Sequence, residues 1–311
     1  MVEGTRLEIV RTPKKGAVGS NPTLSAIFIF KELNIMIVQI LAVSIIAGFI
    51  GSLLGIGGGL IIIPFLSIVF KFNMHQAAAA GLVSVIATSS GAASAFVKDR
   101  LTHLRIGMFL QLATVIGGVL GAILSGILPT KILSLIFGIL LLYNSFLMIK
   151  NRKSDEKIQP ATLQISKWSR KLKLYGSYFD KIQNKQIEYS AQNITGGFLM
   201  MTLAGILSGL LGIGSGIFKV LALDTIMKLP FKVSTATSNF MMGVTALASI
   251  SIYIARGDIV FNLCGAVAVG VLIGSTIGAR VMPYIKSRYL KIAFALILIY
   301  TAVEMIRKGL F

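Results

Sequence analysis

Cysteine is nearly absent: Cys264 is the only one in 311 residues, so no internal disulfide and no cysteine metal cluster can form. Histidine is almost as scarce, and His75 and His103 both fall at the ends of apolar runs. Acidic residues number eleven against thirty basic ones. Of those beyond Met36, only Asp224 and Glu304 lie within apolar stretches. An intramembrane hydrolase needs a nucleophile with a base, or a metal with several ligands. Neither set can be assembled here, so no enzyme and no cofactor is expected. A carrier of metal ions buries several carboxylates or histidines near mid-membrane, whereas this chain offers Asp224 alone. Met241-Met242 reads as packing, and no metal site is expected.

Charge is scarce as well. Charged residues make up 13% of the chain, hydrophobic residues 55%, and mean hydropathy is +0.84. The bilayer is therefore the solvent for most of the sequence. Apolar runs at 77–97, 106–128, 132–149, 233–255, 259–282 and 290–306 are each near the ~20 residues that span a membrane. The net charge of +19 does not point to nucleic acid, because nearly every Lys and Arg lies between or beside apolar segments. There such residues orient the chain against anionic lipid. The expected location is the cell (cytoplasmic) membrane, crossed several times.

What the chain has in plenty is glycine, and its placement is informative. Gly55-Ile56-Gly57-Gly58-Gly59 recurs as Gly212-Ile213-Gly214-Ser215-Gly216, an offset of 212 − 55 = 157, each inside a long apolar stretch. Other matches at this offset include Gly48 with Gly205, Lys71 with Lys228, Thr88 with Thr245, Gly117 with Gly274 and Gly121-Ala122 with Gly278-Ala279. The chain reads as a duplicated unit, with membrane repeats at 36–149 and 194–311 and a basic cytoplasmic linker at 150–193. In that linker, Lys167-Trp168-Ser169-Arg170-Lys171-Leu172-Lys173, followed by Tyr175, Tyr178 and Phe179, suits a helix lying on an anionic leaflet.

Residues 1–35 fall outside this pattern. Gly19-Ser20-Asn21-Pro22 is one reading frame of the transfer-RNA T-arm sequence GGTTCGAATCC, so 1–35 is expected to be a non-native or disordered extension with the natural start at Met36.

The expected fold is an all-α polytopic membrane protein of two homologous repeats, each with a glycine-broken or re-entrant first segment. Met36–Phe70 would be about 52 Å long as one helix, against a hydrocarbon core of ~30 Å. A hairpin turning at the glycines gives ten segments and inverted repeats; a single broken span gives eight and parallel repeats. The distribution of basic residues favours the inverted arrangement.

Paired broken segments in two halves point to a transporter's binding site, because non-helical backbone survives in lipid only where protein buries it or a cavity lines it. New helices begin at Leu60 and Ile217, and their first N–H groups, at the positive dipole end, suit an anion. The candidate substrate-binding residues are therefore Gly57, Gly58, Gly59, Gly214, Ser215, Gly216 and Lys219, the last a lone cation in an apolar segment. Two polar clusters join them, Thr88-Ser89 and Thr237-Ser238-Asn239, whose hydroxyl and amide groups can donate to an anion or to broken-helix carbonyls. Asp224 is a coupling candidate, with either proton or sodium coupling left open. The Gly117/Gly121 and Gly274/Gly278 pairs read as close-packing faces.

These residues resemble the sulfite exporter TauE/SafE family of membrane permeases. The likeness rests on Gly48, Gly55, Gly57-Gly58-Gly59 and Pro64 in the first half. In the second it rests on Ser208-Gly209, Gly212, Gly214-Ser215-Gly216, Lys219-Val220 and then Ala236-Thr237-Ser238-Asn239-Phe240-Met241. It extends from about Met36 to Ile306. The resemblance implies a permease for sulfur-containing or small organic anions, often an exporter. Ser215 replaces the middle glycine, Leu221 stands where proline is usual and Asp224 where asparagine is common, so the substrate stays open. The expected activity is secondary export of a small anion such as sulfite or an organosulfonate; an anion channel and a non-transporting subunit or receptor are the alternatives. Expected partners are the anion, anionic lipids and a second copy of the chain (a homo-oligomer).

Overall fold

The computed structural model describes residues 22–99, 101–150, 167–180, 184–284 and 287–310. The first half contains α1 (Pro22–Leu54), a short α2 (Gly59–Pro64) running into a π-helical turn (Phe65–Val69), α3 (Met74–Lys98), α4 (Leu104–Ile127) and α5 (Thr130–Lys150). After α6 (Lys167–Lys171) and an antiparallel hairpin, β1 (Tyr175–Asp180) with β2 (Lys185–Ser190), the second half follows the same order. It comprises α7 (Ile194–Leu211), a short α8 (Gly216–Leu221) with its own π-helical turn (Ala222–Ile226), α9 (Phe231–Ala255), α10 (Phe261–Val281) and α11 (Ser287–Leu310). Six helical stretches among the described residues are long and apolar enough to cross a membrane. The molecule is a polytopic, essentially all-α membrane protein.

Side chains are distributed as lipid solvation requires. Leu112, Leu199, Leu203 and Phe261 point outward, while Ser44, Ser84, Thr114, Ser208, Ser234, Thr245 and Ser275 are buried. A water-soluble protein arranges these the other way round. Hydroxyls inside bond the carbonyl one turn back, as Thr88 does to Ser84 O at 2.8 Å and Ser249 to Thr245 O at 3.0 Å.

Each interruption is a built turn. Gly55 and Gly57 have φ of 69° and 75°, and Gly212 and Gly214 have 73° and 69°, conformations that only glycine adopts without strain. The far ends of the half-helices match as well. Lys71 and Lys228 are both left-handed, at φ 56° and 54°. The next amides reach the corresponding carbonyls, Phe72 N to Leu66 O at 3.1 Å and Leu229 N to Leu223 O at 2.9 Å.

Helices pair across the halves in exchanged fashion: α1 packs on α10 as α4 packs on α7, and α5 packs on α11. Small residues allow the contact, since a Cβ on Gly274 would lie 1.9 Å from Ile45 O and one on Gly121 2.0 Å from Ile206 O. The half-helix after the first break runs back along α3, with Gly58 beside Thr88 and the chain turning into α3 at Met74. The half-helix after the second break returns toward the hairpin end, where Gln192 N donates to Met227 O at 3.0 Å. The α3–α4 loop lies at that same end, because His103 bonds Tyr175 O of β1. The two half-helices thus leave toward opposite ends of the bundle, the first toward the start of α3 and the second toward the end of α3.

Two expectations are modified. Helix α1 already runs from Pro22, fourteen residues before Met36, while residues 1–21 lie outside the described residues. The linker is not one surface helix through its aromatics: the helix is confined to Lys167–Lys171, and Tyr175, Tyr178 and Phe179 lie on β1. Alternation explains this, because Tyr178 is buried while Tyr175 and Phe179 are exposed, the period of two that a strand presents.

The glycine contacts make a prediction. Gly121→Val and Gly274→Val should each destabilise the protein by about 1–3 kcal/mol, the typical cost of overpacking. Gly265→Val, where a side chain meets nothing within 4 Å, should not. Thermal unfolding of the purified variants measures the difference.

Candidate functional site

The two breaks touch. A Cβ on Gly216 would lie 2.4 Å from Gly55 O, and one on Gly59 3.0 Å from Gly212 O. Helices α9 and α3 flank this contact. On α9, Thr235, Ser238 and Met242 turn toward it at helical spacing: Thr235 packs on Gly55, Ser238 bonds its carbonyl and Met242 meets Gly57 and Gly216. On α3, Ala78 and Gly81 meet Gly212, and Val85 meets Gly57 and Gly214. The whole stretch from Gly51 to Leu60 is buried, as are Gly212–Gly216. The breaks therefore lie deep in the bundle and are closed to water.

The polar groups of the breaks are satisfied largely by the expected clusters. Gly58 N donates to Thr88 Oγ1 at 3.2 Å. Ser238 Oγ lies 3.1 Å from Gly55 O and 3.3 Å from Gly216 O, so one hydroxyl joins both breaks. Asn239 Nδ2 donates to Ser52 O at 3.1 Å, in the last turn of α1. Ser238 and Asn239 thus serve carbonyls, the second of the two roles open to them.

Lys219 is the most unusual group. Its side chain is fully buried, and Nζ donates to Thr245 Oγ1 at 2.9 Å. Thr245 Oγ1 in turn lies 3.1 Å from Thr114 Oγ1 of α4. Gln111, also on α4, completes the cluster, its oxygen 3.1 Å from Thr245 Oγ1 and its nitrogen 3.1 Å from Met241 O. An ammonium has three donors, and the Thr245 hydroxyl is the protein partner found for them. No carboxylate stands within ion-pair distance of Lys219 among the described residues. Ser215, four residues earlier and so on the same side of the helix, has a buried Oγ with no partner.

Other expected residues lie elsewhere. Thr237 faces the α3–α4 loop, where Oγ1 accepts from His103 N at 3.0 Å. Ser89 packs against Gly243 of α9. Asp224 sits half-buried in the π-helical turn beyond α8, next to the Met227–Leu229 connection rather than the break. Its partner at the 157-residue offset, Ser67, is held by Lys308 Nζ, 2.8 Å from its carbonyl and 2.7 Å from its hydroxyl.

Gln111, Thr114 and Thr245 were missed as site residues. A lone amide in the apolar run 106–128 was the available signal for Gln111. The Thr88–Thr245 match was the signal for the threonine, since Thr88 stands where the first cluster was expected.

Among the described residues, side chains cover the interior at both ends of the bundle. At one, Tyr253 is buried with its hydroxyl on Gly209 O at 2.8 Å, under Arg256, which pairs with Asp258 and donates to Ala122 O at 2.9 Å. At the other, the hairpin packs on the α3–α4 loop through His103. Its Nδ1 accepts from Ile106 N at 3.2 Å, which leaves Nε2 to donate to Tyr175 O at 3.2 Å.

Burial holds the His103 pKa below its ordinary value of 6.5, with the carbonyl bond opposing and Arg105 adding to the shift. The unfolded chain therefore binds this proton more readily than the folded one. His103's contribution to stability should be present above pH 6.5 and lost as pH falls below it. His103→Asn, which can keep the helix cap, should flatten that part of the curve of unfolding midpoint against pH.

Comparison with known proteins agrees with this architecture. A family model described as sulfite exporter TauE/SafE matches residues 40–305. The probable membrane transporter protein YunE of Bacillus subtilis (strain 168) is 25% identical over 281 residues, 88% of this chain and 98% of that protein. The probable membrane transporter protein YdhB of the same organism is 25% identical over 263 residues, 84% and 95% of the two chains. MJ0441 of Methanocaldococcus jannaschii, also described as a probable membrane transporter protein, is 22% identical over 289 residues, 86% and 94%. No solved structure matches the chain.

Proposed function

Because the chain belongs to the sulfite exporter TauE/SafE family, we propose that it is a secondary carrier exporting a small anion, such as sulfite or an organosulfonate, across the cell membrane. The observation that carries this reading is the buried Lys219 ammonium. A buried cation is costly unless an opposite charge or a full set of hydrogen bonds offsets it. Among the described residues Lys219 has a hydroxyl partner and no carboxylate. An anion between Lys219 Nζ, the unpartnered Ser215 Oγ and the amides at the start of α8 would supply both the charge and the acceptors. A sulfite or sulfonate group presents three oxygens, enough to engage all of these.

Ser215 differs from its counterpart in a way that supports the reading. Gly58 has right-handed geometry, φ −71°, and its amide is taken by Thr88. Ser215 is left-handed, φ 46°, and the matching threonine hydroxyl, Thr245, is engaged by Lys219 instead. The second break therefore keeps donor capacity that the first has used.

We read the two halves as inverted repeats of five segments, each opening with a re-entrant hairpin. The opposite exits of the two half-helices support this, and so does the exchanged pairing of α1 with α10 and α4 with α7. A pseudo-two-fold axis in the membrane plane then passes through the contact between the breaks, which puts the site near the bilayer midplane. Alternating access consists of opening one end at a time: the Tyr253–Arg256–Asp258 end, or the hairpin end, which we read as cytoplasmic from the basic residues of the linker.

The test is flux of labelled sulfite, sulfonates and carboxylates into proteoliposomes, comparing the unaltered protein with Lys219→Met. The expected result is saturable flux of at least one of these anions, reduced tenfold or more by Lys219→Met. Unchanged flux in the variant would remove Lys219 from the site, and no flux of any anion would refute the carrier.

A further inference from the structure

We propose that the carbonyl end of α1 at the first break is a binding site for a small monovalent cation, sodium, formed by Ser52 O, Gly55 O, Asn239 Oδ1 and the hydroxyls of Ser238 and Thr235. The last carbonyls of an interrupted helix have no partner in the helix and carry the negative end of its dipole. Broken helices in membranes use such carbonyls to hold coupling ions.

Side chains arranged around this end leave acceptors over. Asn239 is fully buried, and with Nδ2 committed to Ser52 O its Oδ1 has no partner. Reversing the amide would set two oxygens against each other, so the orphan oxygen is a consequence of the packing. Thr235 is also fully buried; its methyl and backbone pack against Gly55, while its Oγ1, on the same Cβ, has no partner and would reach the carbonyl end after a χ1 rotation that exchanges it with the methyl. Thr235, Ser238 and Asn239 are spaced i, i+3, i+4, so α9 presents all three on one side. A buried polar atom without a partner costs about 1–3 kcal/mol, and two such oxygens at one helix end mark a place for a positive ligand.

The second half is built differently at the corresponding carbonyls. At the 157-residue offset, Ser52 and Leu53 of α1 correspond to Gly209 and Leu210 of α7. The carbonyls of Gly209 and Leu210 are taken by the Tyr253 hydroxyl, at 2.8 and 3.2 Å. Phe96 holds the matching position on α3 and has no hydroxyl to offer. Around α7 the residues matching Thr235, Ser238 and Asn239 are Ala78, Gly81 and Leu82. At the α7 end Tyr253 takes the two carbonyls and the Ser208 hydroxyl is left unpartnered; at the α1 end the corresponding side chains are oxygen-bearing.

The chemistry selects the ion. All five ligands are uncharged oxygens, so a divalent cation, which draws on carboxylates in protein sites, is not favoured. Sodium, smaller than potassium, suits the close packing of Gly216 against Gly55 O. Ser238 links the cation to the carrier reading, because the hydroxyl that would ligate it also reaches Gly216 O at the start of α8, three residues before Lys219. Sodium would thus be the coupling ion of the transport proposed above, yet its binding can be measured with no substrate anion present, so the two ideas can fail separately.

The experiment is thermal unfolding of the purified protein in sodium, potassium and choline chloride at equal ionic strength. Sodium should raise the midpoint in a saturable way, as binding to the folded state alone requires; potassium and choline should not. Asn239→Leu and Thr235→Ala should each raise the sodium concentration needed at least tenfold, whereas Leu199→Ala, on the outward face, should leave it unchanged. Should Asn239→Leu fail to fold, Thr235→Ala and Asn239→Asp decide, the added carboxylate being expected to lower the sodium requirement. Equal midpoints in all three salts would overturn the proposal, the result a bound water in place of the ion would give. A sodium response unaltered in the Thr235 and Asn239 variants would overturn it equally.

Discussion

Hydrocarbon offers no hydrogen bonds, so a helix that stops inside a membrane must have its exposed amides and carbonyls satisfied by the protein itself. The structure depends on how two such stops are accommodated. They are set against each other, Gly216 on Gly55 O and Gly59 on Gly212 O, and walled in by α3 and α9. The Ser238 hydroxyl reaches a carbonyl of each break, and Thr88 holds the Gly58 amide. The glycines follow from the same constraint: those with positive φ make the turns, and those on α4, α7 and α10 let helix backbones approach closely enough to hold the breaks in place.

Similar scaffolds carry different chemistry in the two halves. At the 157-residue offset Lys219 answers to Ile62, Ser238 to Gly81, Asn239 to Leu82, Thr114 to Val271 and Tyr253 to Phe96. The correspondence of α1–α5 with α7–α11 supplies the shape, two interrupted helices meeting in the interior. The departures from it supply the polar groups, and these are not shared evenly. In the proposed carrier, positive charge and spare donors gather at the second break and spare acceptors at the first. Opposite charges can then be held a few residues apart, on parts that would move together.

Much of this was legible in the residues. The paired glycine motifs, the apolar runs and the 157-residue offset named the element order, because each reflects a local rule: backbone conformation, span length or close packing. Lys219 stood out because a lone cation in an apolar run is conspicuous. Less visible was where hydroxyls point. Thr237 and Ser238 are neighbours in sequence, but one helical step turns Thr237 to the α3–α4 loop and Ser238 to the breaks. Gln111 and Thr114 belong to the cluster around Lys219 only because α4 packs against α9, a contact across the halves that no local pattern encodes. The hairpin was hidden by a basic, aromatic composition that suits a surface helix equally well; the alternation of Tyr175, Tyr178 and Phe179 became decisive once the burial of Tyr178 was known.

The central claim is that a negatively charged solute sits at the second break, against Lys219. Its most direct test is a structure of the protein with a bromine-labelled alkylsulfonate, located by the scattering of the heavy atom. The sulfonate should lie within hydrogen-bonding distance of Lys219 Nζ and Ser215, with the bromine inside the bundle. A sulfonate found only at the membrane surface, or an interior site with Lys219 still confined to Thr245 and turned away from the anion, would contradict it.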